Sequence, residues 1–491
     1  KQMAEKIISP GVFTQENDLS FVPQGIGEIG GAIVGPTVKG PALVPTLVTS
    51  YPEYVQLFGD TFISGSTSTE YLTSISAREY LKHSGALTVV RILGDTYSNA
   101  SASIIGSGST AAFTLNTHGD GLVMNSAGTT SSNGILSDGT KHNLRYEISN
   151  VSAAKGTFTL LVRRGDDTDK RKAILETWSG LSLDPNSNNF ISKTIGDQYQ
   201  SLETGDGTYL QPTGNFPNKS KYLYVSGVYE TPDYLDANGG TSSLKAEWLP
   251  TAGAGVFTGG LDGGTASAPA KFFEDILSAN VQGLDPTTPA NGQNSYGYAI
   301  DLLSNADEYD VNMVWMPGLT AEDHSTLTNK LITACETRGD CFAVIDPVLA
   351  NKNIVDATTE GGLLDTSYAA MYWPWVQTSA NGKFVWVPPS TLIPGIYAFN
   401  DKVAAEWYAP AGLNRGGLET VVQAERKLTH ANRDTLYEEN INPLATFPGE
   451  GVVVWGQKTL QKKASALDRV NVRRLLINLK KFIASTSKYL V

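Results

Sequence analysis

A glycine-rich motif near the start of the chain has the spacing of a phosphate-binding loop. Residues 25–30 read G-I-G-E-I-G, which matches G-x-G-x-x-G. A dinucleotide site needs a strand before this motif and a helix after it, so that the helix amino terminus meets the pyrophosphate. Here Pro23 precedes the motif, and an apolar, strand-like run that ends at Pro36 follows it. The motif therefore indicates a linker and not a nucleotide site.

The other residues that could do chemistry do not converge on one site. The five histidines are scattered without the spacing of metal ligands, and no H-E-x-x-H, G-x-S-x-G or Walker A motif occurs. The pair Cys335 and Cys341 is typical of buried structural thiols. The aspartates 166, 167 and 169 lack the ligand pattern of an EF-hand and indicate a surface turn, with a weak calcium site left open. The sequence predicts no catalytic residues, no metal and no cofactor, so we do not expect an enzyme.

The carboxy-terminal part of the chain carries a concentrated positive charge. From residue 457 to the end there are nine basic residues and a single acid, Asp468. A helix predicted over about 466–487 presents an apolar side and, elsewhere on its surface, four cations: Arg473, Arg474, Lys480 and Lys481. The apolar side consists of Val470, Leu475, Leu476, Leu479, Phe482 and Ile483. A solvated helix face, a contact with an acidic partner and self-assembly all remain open interpretations.

Length and composition limit the class of protein that can hold these residues. The chain has 491 residues, of which 41% are hydrophobic and 18% are charged, which suggests about three folded domains. Its net charge of −12 disfavours nucleic-acid binding. Two cysteines exclude a disulfide scaffold and suit a reducing cytoplasm. No apolar run is long enough for a secretory signal or a transmembrane helix, so we expect no membrane insertion.

The organisation of the chain predicts an α/β (α+β) multidomain protein with a discontinuous core. Residues 1–24 read as an extended arm, in which Ile7, Ile8, Val12 and Phe13 could pair as a strand. Residues 25–94 have α/β character. Residues 95–265 form a β-rich insert, because 30 of the 46 residues from 95 to 140 are Gly, Ser, Thr, Asn or Asp. Residues 266–491 return to α/β character and end in the basic helix.

Several elements of the core can be predicted individually. Strands are expected at 31–35 and 87–93, with a helix over about 70–83 between them. A second unit has a strand at 311–316, a capping box at 320–323 that opens a helix, and a strand at 341–345. A crossover of this kind makes its two strands parallel. Two long helices are expected over 417–439 and 466–487.

Short motifs along both parts of the core resemble the contractile tail sheath proteins of bacteriophages. Each motif is weak, but the set occurs in the order of that family. The amino-terminal motifs are S-P-G-V at 9–12, G-G-A-I-V-G at 30–35, K-G-P at 39–41, F-G at 58–59 and G-A-L-T-V-V-R at 85–91. The later motifs are W-Y-A-P-A-G at 407–412, N-R-G at 414–416, I-N-P at 441–443, W-G-Q-K-T at 455–459 and N-V-R-R-L at 471–475.

This resemblance implies a structural subunit of the virion that is assembled in the host cytoplasm. Sheath proteins form stacked six-fold rings in a helical array around a tail tube, between baseplate and tail terminator proteins. They contract by rigid-body rearrangement to drive the tube through the host envelope. The arm at residues 7–13 would then add a strand to a neighbour, the basic helix would face the tube, and the insert would protrude. Family members continue beyond the position of Val491 with a further strand segment, which this chain would lack.

Two alternatives accompany this interpretation. One is the sheath of another contractile injection system, either pyocin-like or of type VI secretion. The other is a carbohydrate-binding tail protein, in which Trp373, Trp375 and Trp386 would form a sugar platform, although aromatic residues in strands more often pack a core. Under the tube-facing interpretation, changing Lys480 and Lys481 to Glu weakens assembly and leaves the fold intact.

Overall fold

In a computed structural model of the chain, residues 30–64, 67–235, 238–241, 243–264 and 275–487 are described. The predicted arm, with Ile7, Ile8, Val12 and Phe13, lies outside the described residues, as do residues 25–29 of the glycine motif. A strand and not a helix follows this motif, in agreement with its interpretation as a linker.

The first α/β segment contributes five strands and two helices. The strands are β1 (Gly31–Gly35), β2 (Thr46–Val48), β3 (Thr61–Ser64), β4 (Thr67–Glu70) and β5 (Leu87–Arg91). The helices are α1 (Tyr51–Phe58) and α2 (Leu72–Leu81). Helix α2 agrees with the helix predicted over 70–83.

The segment that follows is rich in strands. Its strands are β6 (Asn99–Ile105), β7 (Ala111–Asp120), β8 (Leu144–Ser152), β9 (Thr157–Arg164), β10 (Ile174–Ser182), β11 (Tyr199–Glu203), β12 (Tyr209–Thr213), β13 (Leu223–Ser226) and β14 (Gly253–Val256). Its two helices are short: α3 (Ile191–Ile195) and α4 (Ser243–Ala246).

The last segment alternates helices and strands. The helices are α5 (Gln293–Leu303), α6 (Ser325–Arg338), α7 (Ile354–Leu363), α8 (Ile393–Val403), α9 (His430–Glu438) and α10 (Val470–Ser487). The strands are β15 (Met313–Thr320), β16 (Phe342–Asp346), β17 (Ala369–Trp373), β18 (Val376–Ala380), β19 (Lys383–Val387), β20 (Val421–Ala424), β21 (Ile441–Phe447) and β22 (Gly451–Val454).

An eight-stranded sheet joins the first and last segments. Its order is β2-β5-β1-β15-β16-β17-β21-β22, so β1 near the start of the chain lies beside β15, which is almost 300 residues later. The six inner strands are parallel, whereas β2 and β22 run antiparallel at the two ends. The predicted α/β fold with a discontinuous core is confirmed.

Helices cover both faces of this sheet, as an all-parallel arrangement requires. Alternate residues of β1 point to opposite faces, so Ala32 and Val34 join one buried cluster and Ile33 joins the other. Helices α5, α6, α7 and α9 contribute to the first cluster, and α1, α2, α8 and α10 contribute to the second. The core is therefore a three-layer sandwich.

The β-rich segment has a hydrophobic core of its own. A four-stranded sheet, β10-β9-β8-β14, packs against a three-stranded sheet, β13-β7-β6. The rings of Phe113 and Phe158 stack between them, with their centroids 5.6 Å apart. Every buried residue of this cluster lies between Ala100 and Phe257. The domain boundaries given above stay a prediction, but the apolar side chains of this segment pack mainly against one another.

The chain leaves and re-enters the core at one narrow neck. The amide of Gly94 donates to the carbonyl of Asp262 at 2.9 Å. A Cβ at residue 94 would lie 2.4 Å from the carbonyl oxygen of Gly263, so only glycine fits where the outgoing and returning chain segments cross. Beside them Arg91 is fully buried and its Nη1 donates to the carbonyls of Gly40 (2.6 Å) and Asp120 (2.8 Å).

Two local predictions in the last segment are wrong. Thr320 and Asp323 do bond to each other, but they form a turn after β15, and helix α6 begins later, at Ser325. The helix predicted over 417–439 is in fact a strand, β20, followed by the shorter helix α9. Pairing with a neighbouring strand determines the local structure in both cases, because Thr320 pairs with Asp346 of β16 and β20 pairs with β18.

Candidate functional site

Helix α10 carries the four cations assigned from the sequence, and its first turn is held by the preceding loop. The amide of Val470 donates to the carbonyl of Gln457 at 2.9 Å, and the amide of Asn471 donates to the Gln457 Oε1 atom at 3.1 Å. The Asn471 side chain donates to the carbonyl of Trp407. Val470 and Ile477 then pack into the second core cluster, so the helix lies along the sheet.

Arg474 points into the protein and not away from it. Its side chain is only 5% exposed, and both terminal nitrogens bind the carboxylate of Asp401, one of them at 2.9 Å. Its guanidinium also lies over the ring of Tyr397, 4.9 Å from the centroid. Burial alone would lower the pKa of Arg474, but the adjacent Asp401 carboxylate outweighs it and raises this pKa. Arg474 therefore attaches α10 to α8.

Arg473 is buried beside it against a second aromatic ring. Its guanidinium lies 4.0 Å from the ring centroid of Tyr368, and one terminal nitrogen donates to the hydroxyl of Ser367. Its Nε atom has no hydrogen-bond partner among the described residues. Burial lowers the pKa of this guanidinium. Arg473 thus packs its charge on an aromatic face, and no carboxylate of the described ranges forms a salt bridge with it.

The two lysines near the end of the helix also contact the chain itself. The ammonium group of Lys481 lies 2.5 Å from the carboxylate of Asp310 and 3.4 Å from that of Asp340, and its side chain is 9% exposed. Lys480 is exposed, with its nitrogen 3.3 Å from the carbonyl of Gly339 and 3.4 Å from the hydroxyl of Tyr368. Changing Lys481 to Glu would place three acids together, so the expectation that this reversal leaves the fold intact does not hold.

The helix is therefore rotated relative to the sequence-based interpretation. The residues that face the core are Val470, Arg473, Arg474 and Ile477, at the spacing i, i+3, i+4, i+7. Three apolar residues face outward instead: Leu479, Phe482 and Ile483 are 43%, 49% and 63% exposed. We call these three residues the outer α10 face. The signal that could have revealed this orientation is the heptad-like spacing of the two arginines between Val470 and Ile477.

The tryptophan platform does not form. Trp373 and Trp375 are buried, and the indole nitrogen of Trp375 donates to the carbonyl of Val348 at 3.0 Å. Trp386 alone is partly exposed, on edge strand β19. These rings pack the sheets, as aromatic residues in strands commonly do.

The aspartates after β9 lie in a turn, as predicted, but Asp167 is buried there in an ion-pair network. Both carboxylate oxygens of Asp167 accept bonds from Arg163, at 2.7 and 2.8 Å, and both side chains are fully buried. Arg145 and Asp169 extend the network. Because the carboxylate of Asp167 is already bound by arginine, it is not available to a calcium ion.

Among the residues that the structure describes, the remaining polar side chains form no candidate metal centre. Within the described ranges, no three His, Cys, Asp or Glu side chains come close enough to hold a metal ion. His142 and His324 are buried, and each places Nε2 against a backbone carbonyl. In the part of the chain that the structure describes, the helices are too short or too polar to cross a membrane.

Comparisons with known proteins identify relatives of the core. Residues 292–460, from the start of α5 to the loop before α10, match the family model of the phage tail sheath protein central domain. The tail sheath protein of Vibrio phage KVP40 is 29% identical over 308 residues, which cover 55% of this chain and 44% of that protein. The tail sheath protein of Enterobacteria phage T4 is 28% identical over 289 residues, which cover 53% and 40%. The chain thus matches less than half the length of these relatives.

A solved structure has the same fold over most of the chain. The sheath tail protein of Listeria innocua superposes with a TM-score of 0.56 and 11% identity, over 94% of this chain and 78% of that one. The fold is thus that of a sheath protein, and the resemblance inferred from short motifs is confirmed.

Proposed function

We propose that this chain, which is homologous to the contractile tail sheath proteins of phages, is a non-enzymatic structural subunit of such a sheath. Copies would polymerise as stacked six-fold rings around a tail tube, between baseplate and tail terminator proteins. Contraction would rearrange the copies as rigid bodies and drive the tube through the host envelope. The subunit would be assembled in the host cytoplasm and end in the virion.

The observation that carries this proposal is the match of residues 292–460 to the sheath central domain. These residues include five of the eight strands of the core sheet, namely β15, β16, β17, β21 and β22, together with the three-stranded sheet β19-β18-β20. The amino-terminal strands β1, β2 and β5 complete the same sheet, because β1 pairs with β15 on one side and with β5 on the other. The part that matches the family therefore shares one sheet with the amino-terminal segment.

Rings require different surfaces of one copy to meet on the next, because an open array needs heterologous contacts. Strands β2 and β19 are among the edge strands that could make such contacts. Within the described residues, no strand pairs with the outer edge of β2 or of β19. By contrast, residues 412–418 bond along the outer edge of β22. The arm with Ile7, Ile8, Val12 and Phe13 would add a strand at such an edge on a neighbouring copy.

The carboxy-terminal helix offers a second contact surface. The tube-facing role of Arg473, Arg474, Lys480 and Lys481 stays a prediction, but three of these cations are paired within the chain or packed against its rings. The outer α10 face, in contrast, exposes three apolar side chains in one patch. We therefore expect that a tube or a neighbouring copy contacts the outer α10 face, because covering these side chains removes apolar surface from water.

Assembly of the complete gene product, imaged by negative-stain electron microscopy, tests the proposed function. We expect rings or striated tubes from the natural protein. A double variant of the outer α10 face, Phe482→Ser with Ile483→Ser, should assemble poorly while its thermal unfolding midpoint stays close to that of the natural protein.

The matched control changes two equally exposed apolar residues on α7, Val355→Ser with Leu363→Ser, on the opposite face of the sheet. This control should assemble normally. Monomers alone, in the presence of tube and baseplate proteins, would contradict the sheath function. Normal tubes from the Phe482 and Ile483 variant would remove the outer α10 face from the assembly surface.

A further inference from the structure

A large cleft separates the core from the β-rich insert. Its volume is about 690 Å³, within the range of about 300–1,000 Å³ that is usual for small-molecule sites. The core wall comes from the segment after β1 and from α1. The opposite wall comes from β7, the hairpin β11–β12 and the loop before β13. This cleft is distant in sequence from α10, although Thr46 of β2, one of the edge strands proposed for contacts between copies, is among its lining residues.

An aromatic stack lines one wall of the cleft. The rings of Tyr199 and Tyr224 stack with centroids 5.5 Å apart and an angle of 23° between their planes. The ring of His118 lies 5.5 Å behind Tyr224. Asn99 donates to the Tyr224 hydroxyl at 3.0 Å and holds the middle ring. The outermost ring, Tyr199, is 42% exposed, so it presents a supported flat surface to the cleft.

Positive charge predominates around this stack. The cations of the cleft are Lys39, Lys141, Arg164 and Lys221, and its single carboxylate is that of Asp120. Asp120 already accepts the amide of Ala42 at 2.8 Å. Lys141 and Arg164 have partners in Asp60 and Asp166 outside the cleft. Among the described residues, Asp60 acts electrostatically on Lys39 and Glu53 on Lys221, but neither carboxylate forms a salt bridge with these lysines, so the two ammonium groups can bind an anion.

Hydrogen-bonding groups complete the lining. The side-chain amides of Gln198 and Gln200 make no hydrogen bond within the described part of the chain, and both residues line the cleft. Each amide offers one acceptor and two donors. Burial, followed by repulsion from Lys141, lowers the pKa of Lys39, so a nearby anion would relieve an unfavourable charge there.

We propose that this cleft binds an acidic oligosaccharide, with the Tyr199 ring under a sugar ring and Lys39 and Lys221 at its carboxylates. A pyranose has an apolar C–H face that stacks on an aromatic ring and hydroxyl groups that bond to amides. A uronic acid adds a carboxylate. The cleft has a matching group for each feature: the Tyr199 ring for the apolar face, the glutamine amides for the hydroxyl groups, and the lysines for the carboxylate. A peptide of acidic residues would use the lysines, but it would leave the exposed Tyr199 face without a matching flat partner.

Isothermal titration of the full chain with tetragalacturonic acid tests the proposal, and the neutral galactotetraose is the matched ligand. We expect saturable binding of the acidic tetrasaccharide at low salt and weaker binding of the neutral one. Tyr199→Ala should weaken the affinity about three- to tenfold. Lys221→Gln should weaken it about threefold and reduce its dependence on salt.

The chain offers close controls for both variants. Tyr209 is equally exposed, at 43%, on the partner strand of the same hairpin, and it does not line the cleft. Lys219 is exposed two residues before Lys221 and also lies outside the lining. Tyr209→Ala and Lys219→Gln should bind like the natural protein.

Three results would overturn the proposal: no saturable binding of tetragalacturonic acid, an equal loss of affinity in the Tyr209→Ala control, or tighter binding of tetraglutamate that depends on Tyr199. The last result would assign the cleft to an acidic peptide. None of these results bears on assembly, which electron microscopy measures separately, so failure of this proposal is distinguishable from failure of the sheath function.

Discussion

At the scale of single residues, Asp346 is the most unusual acid of the core. It ends β16, is 1% exposed, and lies among apolar side chains of the parallel sheet. Its carboxylate accepts the Ser390 amide at 2.9 Å and the Ser390 hydroxyl at 2.5 Å. Burial raises the pKa of Asp346 to about 7, and the two bonds from Ser390 only partly oppose this effect. The core thus holds a carboxyl group that is half protonated near neutral pH.

This carboxyl group should make the free energy of unfolding depend on pH. Between about pH 4 and pH 7, the unfolded chain loses the Asp346 proton while the folded chain keeps it, so stability falls as the pH rises. The decrease is on the order of 3–4 kcal/mol. Asp346→Asn keeps a side-chain oxygen for the Ser390 amide and cannot ionise. Denaturant unfolding of both proteins from pH 4 to pH 8 should show the variant gaining relative stability across this range.

Asp307→Asn is a suitable control, because Asp307 is exposed in the loop before β15. Its stability should follow that of the natural protein at every pH. A constant difference between Asp346→Asn and the natural protein would mean that Asp346 is ionised throughout, and that its burial does not govern its protonation.

At the scale of elements, α10 is attached to the core by charge as much as by apolar packing. Along its inner stripe, two arginines lie between Val470 and Ile477, and of these Arg474 alone has a carboxylate partner among the described residues, Asp401. Removal of Asp401 would leave the charge of Arg474 buried without its partner, which is strongly unfavourable because the protein would not replace the lost hydration. The position of the outer α10 face therefore depends on the Arg474–Asp401 pair.

A double-mutant cycle measures this dependence. Arg474→Gln should lower the free energy of unfolding by about 3 kcal/mol, and Asp401→Asn should lower it by a similar amount. Their combination should show a coupling energy of about 2 kcal/mol. Lys480→Gln, on the exposed end of the same helix, should change stability by less than about 0.5 kcal/mol. Coupling near zero would mean that Val470 and Ile477 hold the helix without the ion pair.

The extent of α10 could be predicted from the sequence, but its orientation could not. Apolar periodicity and the absence of glycine locate the helix correctly between 466 and 487. The rotation depends on Asp401, Tyr368 and Tyr397, which lie far away in sequence and supply the partners that let arginine be buried. Without them, the rule that charged residues face solvent gives the opposite face. The β20 strand was missed for a related reason, because its pairing with β18 is set by tertiary contact.

At the scale of the whole molecule, the discontinuity of the core was predictable because each part leaves a recognisable strand pattern. Leu87–Arg91 and Phe342–Asp346 are mainly apolar and almost entirely buried, as strands covered on both faces require. The polar, glycine-rich composition after Gly94 indicates a change to the strand-rich segment that begins with β6. The cleft could not be predicted, because β7 and β11 meet the segment around Lys39 only once the insert is folded onto the core.

The insert should also fold without the core. Its buried cluster contains only residues of the insert, and its two chain crossings lie side by side at Gly94 and Asp262. We therefore expect a fragment of residues 95–262 to unfold cooperatively on its own, as followed by circular dichroism and tryptophan fluorescence. The complementary variant, in which two glycines join Gly94 to Asp262, should keep the helices and the eight-stranded sheet.

The shortened core should nevertheless be less stable than the core of the full chain, because Arg91 loses the carbonyl of Asp120 as an acceptor. A buried donor left without a partner costs about 1–3 kcal/mol, and denaturant unfolding should show a decrease of that size. Arg91→Met in the shortened core removes the unpaired donor, so it should cost less there than in the full chain. A fragment that stays unfolded, or an equal cost of Arg91→Met in both proteins, would show that insert and core form one cooperative unit across the neck.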